Sequence, residues 1–290
     1  MQERKIRKMV KGQVAQDGAG VKLVRVLGHD TVEDFDPFLM LDSFDSTNPD
    51  DYTRGFPMHP HRGIETVTYL ISGEIDHEDS LGNMGRIGPG ESQWMTAGSG
   101  IMHQEMPQPA ERMLGFQLWL NLPKKDKMCD PQYYDIREDT IGEVETEEAK
   151  VRVIAGEYGG AKGARTDYIQ ASLYDVALKA GKSMTIPTKK GENVFVFLIE
   201  GDAVIEGKTI EAKTAVLFDD GEAVTLTAPE GQDSRIIFYA GQPIREEVAW
   251  GGPIVMNTKQ EIIQAFRDMH DGTFTKHEVR VHHHSGTKPN

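Results

Sequence analysis

The stretch FPMHPHRGIE, residues 56–65, brings two histidines and a glutamate together immediately before an apolar run at residues 66–71. In a β-strand, side chains two positions apart lie on the same face. If this stretch is extended, His59, His61 and Glu65 therefore point in the same direction. Imidazole and carboxylate groups grouped in this way are ligands for iron, manganese, nickel, copper or zinc. The pattern predicts a metal site at the start of a strand.

A second group of candidate ligands follows in the stretch GSGIMHQE, residues 98–105, where His103 and Glu105 are again two positions apart. If the two stretches are neighbouring strands of a barrel, three imidazoles and at least one carboxylate converge in its interior. A His-x-His pair alone is a weak signal, because such pairs arise by chance, and a lone histidine usually lies on the surface or in a satisfied core. The whole combination, with its strand, glycine and later histidine, favours a metal site.

Short runs rich in Val, Ile, Tyr and Phe recur along the chain between Gly, Pro, Asp and Asn residues. Such runs predict β-strands, and a series of them indicates an all-β sandwich or barrel. We predict strands at residues 22–27, 66–71, 115–120, 151–154, 174–178, 194–199, 215–218, 223–226 and 235–239.

One helix is predicted at residues 258–272. Thr258 and Glu261 have the spacing of a capping box, apolar residues follow at helical intervals, and Gly272 suits the C-terminal cap.

The two halves of the chain resemble each other, because an apolar run ending in a glycine and an acidic residue occurs at Gly73 and again at Gly201. The stretch at residues 138–149 is acidic and lacks basic residues, which indicates a linker or an exposed loop. We therefore predict a duplicated β unit, with an N-terminal metal-binding domain at residues 1–135 and a C-terminal domain at residues 136–290.

The C-terminal domain is expected to lack metal ligands. The residues that correspond to His59, His61 and Glu65 are Pro187, Lys189 and Asn193. Three further histidines, His282, His283 and His284, are interpreted as a solvated end of the chain.

Composition excludes several classes of protein. The 290 residues carry a net charge of −14, which disfavours direct binding to nucleic acid. No apolar run approaches the roughly 20 residues that span a bilayer, so we expect no membrane association and no secretory signal. The single cysteine, Cys129, excludes internal disulfides and fits a reducing, cytoplasmic compartment. We expect a monomer.

These motifs together resemble the pirin family of the cupin superfamily. The matching runs are DPFL (36–39), FPMHPHRGIETVTY (56–69), QWMTAGSGIMHQEMP (93–107) and GQPIREEVAWGGPIVMN (241–257). They span both halves of the chain. The resemblance implies an all-β fold of two tandem cupin (jelly-roll type) β-barrels with a short C-terminal helix.

The resemblance also implies one divalent transition metal in the N-terminal domain, held by His59, His61, His103 and Glu105. Iron(II) is the expected metal, and manganese, nickel, copper and zinc are alternatives. Glu65 stands where ordinary cupins often carry their ligand carboxylate, whereas in pirins this residue lies near the site.

Asp42 and Arg62 match polar residues close to the pirin metal site. They are candidates for orienting the ligands or for setting the charge of the entrance. An ordinary surface salt bridge is an equally good interpretation of Arg62.

The family relationship further implies an oxidoreductase similar to quercetin 2,3-dioxygenase, which cleaves a flavonol with dioxygen and releases carbon monoxide. The expected partners are a small aromatic substrate and dioxygen, and Glu105 is the expected base for the flavonol 3-hydroxyl. The alternative is a metal-dependent regulatory protein that acts on a transcription factor or a metabolic enzyme, also nuclear if the organism is a eukaryote. The same four ligands serve both functions.

Three aromatic residues are candidates for lining a pocket that accepts an aromatic substrate: Trp94, Phe116 and Trp119. Core packing is the default interpretation of all three.

Overall fold

The structure is a computed structural model that describes residues 1–276, and most of its regular elements are β-strands. The elements of the first half are β1 (Ile6–Lys11), β2 (Gln13–Asp17), β3 (Val21–Leu27), α1 (Val32–Phe35), β4 (Phe38–Ser46), β5 (Phe56–His61), β6 (Ile64–Ser72), β7 (Glu74–Asp79), β8 (Met84–Ile87), β9 (Ser92–Thr96), β10 (Ile101–Gln108), β11 (Met113–Asn121) and β12 (Gln132–Ile136).

The elements of the second half are β13 (Gly142–Glu145), β14 (Ala149–Ala155), β15 (Glu157–Tyr158), β16 (Ala161–Lys162), β17 (Ala171–Leu178), β18 (Ser183–Pro187), β19 (Asn193–Glu200), β20 (Ala203–Ile205), β21 (Lys208–Ile210), β22 (Thr214–Phe218), β23 (Ala223–Thr227), β24 (Ser234–Gly241), β25 (Ala249–Gly251), β26 (Ile254–Met256) and α2 (Lys259–His270).

The strands build two barrels with the same layout. In the first barrel, a seven-stranded sheet in the order β12-β9-β6-β11-β4-β3-β2 packs on a four-stranded sheet in the order β5-β10-β7-β8. In the second barrel, the corresponding orders are β1-β22-β19-β24-β17-β14-β13 and β18-β23-β20-β21. Strands therefore correspond in pairs, with β6 matching β19 and β10 matching β23. The predicted all-β fold of two cupin barrels is confirmed.

The predicted elements agree with the observed ones. Each of the nine predicted strands lies within an observed strand, and the predicted helix is α2, whose N-terminus has the Thr258–Glu261 capping box. The acidic stretch at residues 138–149, predicted to be a linker or an exposed loop, differs in part, because it contains β13, which pairs with β14. Alternate residues of β13 are exposed, so an edge strand accommodates its glutamates without burying their charge.

Each end of the described chain packs against the barrel that the other half of the chain mainly builds. The N-terminal strand β1 pairs with β22 in the second barrel. The segment at residues 249–274, which we call the C-terminal strap, contains β25, β26 and α2 and contacts the first barrel through Arg62. The domain boundary at residue 135 stays a prediction, and each end of the chain contacts the barrel built mainly by the other half.

Apolar packing between the two seven-stranded sheets joins the barrels. Phe38 of the first barrel packs edge-on against Phe195 of the second, with ring centroids 5.1 Å apart, and Phe195 stacks on Tyr239 at 4.4 Å. All three side chains are buried, and each such burial contributes about 1.5–3 kcal/mol. Within residues 1–276, no helix is long and apolar enough to cross a membrane.

Candidate metal centre

Three histidines meet in the first barrel. His59 and His61 lie on β5, and His103 lies on the neighbouring strand β10, opposite His59. One ring nitrogen of each lies within 4.8 Å of the other two. His61 and His103 are buried, whereas His59 is partly exposed, so the cluster reaches solvent at His59. The predicted convergence of the three imidazoles is confirmed, and they lie close enough to bind a metal ion.

Hydrogen bonds fix which ring nitrogens are free. The Nδ1 atoms of His59 and His61 lie 2.9 and 3.0 Å from the carbonyl oxygens of Pro57 and Pro253, so both Nδ1 atoms carry the hydrogen and donate it. The Nε2 atoms of His59 and His61 are then both acceptors, yet they face each other at 3.1 Å. Two lone pairs in this arrangement repel each other, and a metal ion held by both nitrogens would remove that repulsion.

His103 completes the donor set. Both of its ring nitrogens are buried, and neither has a hydrogen-bond partner in the described part of the chain. A buried polar atom normally has a partner, and a metal ion would supply one here. Three imidazoles suit a divalent transition metal. The residues present therefore fit the metal that the family resemblance implies.

Burial keeps the two inner imidazoles neutral. Burial, with a smaller contribution from the neighbouring His59, lowers the pKa of His61 from 6.5 to about 3. Burial also holds the pKa of His103 well below its usual range, with smaller contributions from the adjacent histidines. Because only a neutral imidazole binds a metal, both rings are available as ligands at neutral pH.

Glu105 lies two residues beyond His103 on β10, and its carboxylate is held from the opposite sheet. Gln117 donates from Nε2 to both carboxylate oxygens, at 2.9 and 2.7 Å, and Thr68 donates from its hydroxyl at 3.0 Å. The group of atoms within 4.8 Å of one another comprises the histidines and does not include this carboxylate. That Glu105 binds the metal stays a prediction. The hydrogen bonds from Gln117 and Thr68 fix the orientation of its carboxylate.

Glu65 does not share a face with the histidines, and that expectation is wrong. The chain turns at Gly63, whose φ is +79°, and β5 and β6 belong to different sheets. On β6 the side chain of Glu65 lies on the same face as Val67, which is buried in the core between the barrels. Glu65 accepts a hydrogen bond from Thr96 at 2.7 Å, and burial raises its pKa to about 7.

Asp42 lies on β4 and pairs across the sheet with Gln117. Arg25 binds it through two hydrogen bonds of 2.9 and 2.7 Å. Burial raises the pKa of Asp42, and the Arg25 guanidinium opposes that shift. Asp42 is therefore half of an ion pair beside the residue that orients Glu105.

Arg62 is only 2% exposed, so the interpretation as a surface salt bridge is wrong. Its guanidinium donates to Asp268 of α2 at 2.8 Å and to the carbonyl oxygen of Phe274 at 2.9 Å. It also lies 4.4 Å from the centre of the Phe274 ring. Arg62 thus joins the turn after His61 to the C-terminal strap. It contributes to the site by holding this turn in place.

A buried lysine makes a second tie to the C-terminal strap. Lys127 donates to the carbonyl oxygens of Gly63 and Val255 at 2.8 and 2.9 Å, and to the side chain of Asn121 at 2.6 Å. Burial lowers its pKa to about 7. Neither this lysine nor Pro253 was a candidate from the sequence, because both act through contacts between residues far apart in the chain.

The aromatic candidates separate into two groups. Trp94 and Phe116 are buried in the core between the barrels, as the default interpretation expects. Trp119 points into the first barrel, where its ring lies 4.9 Å from that of His61, and its indole donates to Gln117 at 3.3 Å. Sequence reasoning missed Thr68 and Gln117. The available signal was a polar residue inside an otherwise apolar strand.

The second barrel contains no comparable cluster. Among residues 1–276, the three histidines are the only group close enough to hold a metal. The interior positions of β23 hold Val224 and Leu226, in the strand that matches β10. His282, His283 and His284 lie outside the described residues.

Comparison with known proteins agrees with this architecture. The profile of the Pirin family matches residues 20–120, and that of the Pirin C-terminal cupin domain matches residues 173–275. A "Pirin-like protein" of Caulobacter vibrioides is 44% identical over 278 residues, covering 94% of this chain and 100% of that protein. "Pirin" of Homo sapiens is 38% identical over 271 residues, covering 91% and 92%. A crystal structure of quercetin 2,3-dioxygenase from Acinetobacter baumannii is 34% identical, with a TM-score of 0.86, covering 94% of this chain and 98% of that one.

Proposed function

The chain belongs to the pirin family, and from this premise we propose that it is a metal-dependent dioxygenase that cleaves a flavonol such as quercetin with dioxygen and releases carbon monoxide. The observation that carries the proposal is the cluster of three imidazoles beside an oriented carboxylate in the first barrel. The similarity to a quercetin 2,3-dioxygenase supports the choice of reaction.

The residues that would hold the metal are His59, His61, His103 and Glu105, and we propose iron(II) as the native ion. A bound transition metal would supply a Lewis-acidic, redox-active centre with positions open to substrate and dioxygen. Hydrogen bonds to Pro57 and Pro253 hold two of the imidazoles in the tautomer that leaves Nε2 free.

Glu105 is the proposed base for the 3-hydroxyl proton of the flavonol. Its carboxylate accepts hydrogen bonds from Gln117 and Thr68, and these bonds fix its direction. Trp119, Met40 and further apolar side chains form a buried cluster beside His61, which excludes water and offers a surface for an aromatic substrate. We expect substrate to enter past the partly exposed His59.

The test is anaerobic reconstitution of the full chain with iron(II), manganese, nickel, copper or zinc, followed by an assay with quercetin and dioxygen. We expect quercetin loss together with carbon monoxide release for at least one redox-active metal. If protein that contains the metal neither consumes quercetin nor releases carbon monoxide with any of the metals, the enzymatic function is contradicted.

A second candidate function is a metal-dependent regulatory protein. What favours it is a groove of 1230 Å³ beside the C-terminal strap, larger than the roughly 300–1,000 Å³ of typical small-molecule pockets. Binding of a protein partner that depends on the metal's oxidation state, without quercetin turnover, would support this function over the first. For either function we propose a cytoplasmic monomer that does not bind nucleic acid.

A further inference from the structure

A line of aromatic rings connects the metal centre to the protein surface. The ring of Trp119 lies 4.9 Å from that of His61 and 5.8 Å from that of Trp250. The ring of Trp250 lies 4.1 Å from that of His29. From the candidate ligand His61 to His29, the centroids of successive rings are therefore 4.1–5.8 Å apart.

Exposure increases along this line. Trp119 is 8% exposed, Trp250 is partly exposed, and His29 is exposed. Trp250 and His29 both line the 1230 Å³ groove beside the C-terminal strap. The line of rings therefore begins at a buried imidazole and ends in an open groove.

We infer that Trp119 and Trp250 form an electron relay between a divalent transition metal on the three histidines and a cationic one-electron carrier in the groove. The inference rests on the proposed metal binding and goes beyond the proposed dioxygenase reaction. It assigns the site a second activity, single-electron exchange through the protein.

The relay balances as follows. A carrier strong enough to oxidise indole takes one electron from Trp250, and Trp250 regains one from Trp119. A redox-active metal held by the three histidines would return one electron to Trp119, so that the carrier gains one electron and the metal loses one. No net proton transfer is required. Trp119 donates to the amide oxygen of Gln117, a very weak base, so its buried radical keeps its proton. Trp250 donates its N–H to the carbonyl oxygen of Gly252 at 2.7 Å and is partly exposed, so its radical gives the proton to water and takes one back when the electron returns.

The charge of the groove favours a cationic carrier. Five acidic and three basic side chains line it, within a chain of net charge −14. Opposite charge steers a soluble partner toward such a surface and increases the association rate. The lining acids are Glu33, Asp34, Asp36, Glu246 and Glu247, and the bases are Arg7, Arg245 and Lys259.

Packing alone explains why these rings touch, since Trp119 belongs to an apolar cluster with Trp250 at its border. Packing does not require indole, because phenylalanine also fills apolar space. Indole is much easier to oxidise than a phenyl ring, so a Trp→Phe substitution separates the two roles. Trp94 is a matched control, because it is a buried tryptophan in the core between the barrels, away from this line.

The experiment uses the full chain loaded with iron(II) under anaerobic conditions, with iron measured per chain before mixing. The probe is tris(bipyridine)ruthenium(III), a bulky cationic one-electron oxidant strong enough to oxidise indole, generated by a laser flash, and transient absorbance follows its reduction. We expect Trp250→Phe to slow oxidation per bound iron about tenfold, a barrier increase of about 1.4 kcal/mol, while Trp94→Phe keeps the parental rate. Zinc-loaded protein should reduce the probe only as far as the indole radical that it leaves behind, because zinc(II) has no electron to refill it.

A second measurement tests the role of Trp119 without substituting this buried residue. Flash oxidation with a ruthenium(II) photosensitiser should leave a long-lived indole radical in the zinc-loaded protein. In the iron(II)-loaded protein the same radical should decay about tenfold faster or more, because the metal refills it through Trp119.

Parental oxidation rates in Trp250→Phe, equal slowing in Trp94→Phe, or equal radical lifetimes with zinc and iron(II) would each overturn the relay. In protein that binds iron and consumes quercetin, these results leave the proposed function intact. A chain that binds no iron overturns both.

Discussion

The two barrels have the same strand order and opposite interiors. On β10 the interior positions hold His103 and Glu105, whereas the matching strand β23 holds Val224 and Leu226. The cupin fold therefore does not require ligands. The interior residues of the four-stranded sheet decide whether a barrel carries a metal site or only contributes packing.

The polar interior has an energetic cost that the apolar one avoids. Gln93, His103 and Tyr133, all in the first barrel, have buried polar atoms without a hydrogen-bond partner among residues 1–276. Each such atom costs roughly 1–3 kcal/mol. The aliphatic interior of the second barrel contributes stability instead, and the core between the large sheets joins the two. Natural proteins accept such costs at functional sites.

The strongest test of this comparison is metal content. His103→Ala should reduce bound metal from about one ion per chain to almost none at stoichiometric supply, because it removes one of three clustered imidazoles. Leu226→Ala, in the matching strand, should leave it unchanged. Metal analysis after dialysis measures both, with His282, His283 and His284 replaced by alanine in every protein. Two ions per parental chain would show that the second barrel also binds metal.

The next largest effect concerns the two glutamates. Glu105→Gln should lower quercetin turnover per bound metal by ~10²–10⁴-fold near neutral pH, because it removes the base. Part of the rate should return at high pH, where the flavonol ionises without help. Glu65 lies on the other face of the sheet, so Glu65→Gln should lower turnover much less. Steady-state assays across a pH series compare them, and equal losses in both variants would contradict the assignment of Glu105.

The cost of polar burial predicts opposite responses of stability in metal-free protein. Leu226→Ala should destabilise the second barrel by about 2–5 kcal/mol, since it leaves a cavity in a packed interior. His103→Leu should be neutral or stabilising, because His103 has no protein partner to lose. Urea unfolding followed by circular dichroism gives both values. Strong destabilisation by His103→Leu would show that the polar interior contributes to stability without metal.

The smallest effect is a pH dependence that arises outside the metal site. The folded pKa of Glu65 is about 7 against a usual value of 4.5, so its contribution to stability is complete below pH 4.5 and is lost as the pH rises to about 7. The loss amounts to at most about 3 kcal/mol. Glu65→Gln should remove this part of the pH dependence, and Glu74→Gln, at an exposed position, should not. Parallel stability curves for Glu65→Gln and the parent would contradict the raised pKa.

Local patterns predicted the strands and the candidate ligands because both depend on neighbours in the sequence. Runs of Val and Ile mark β6 and β19, and the capping box marks α2. The histidine motif identified the three imidazoles that converge. The inference about Glu65 failed because one glycine turns the chain between β5 and β6, and a spacing argument assumes one continuous strand.

Contacts between distant residues lay outside what the sequence could indicate. Gln117 and Thr68 reach Glu105 from the opposite sheet, which is evident only once the barrel is closed. Burial of Arg62 depends on α2, a helix about two hundred residues further along the chain. Arginine is usually exposed, so nothing local distinguished this one from a surface residue.

The C-terminal strap also sets an order of events in the cell. Pro253, whose carbonyl oxygen fixes the tautomer of His61, is synthesised 192 residues after it. At about 5–20 residues per second, the ribosome needs roughly 10–40 s to make that stretch. For most of this interval all three histidines have been made, whereas Pro253, which orients His61, does not yet exist. We expect the nascent chain to hold metal weakly and the ion to be captured only after the strap has docked.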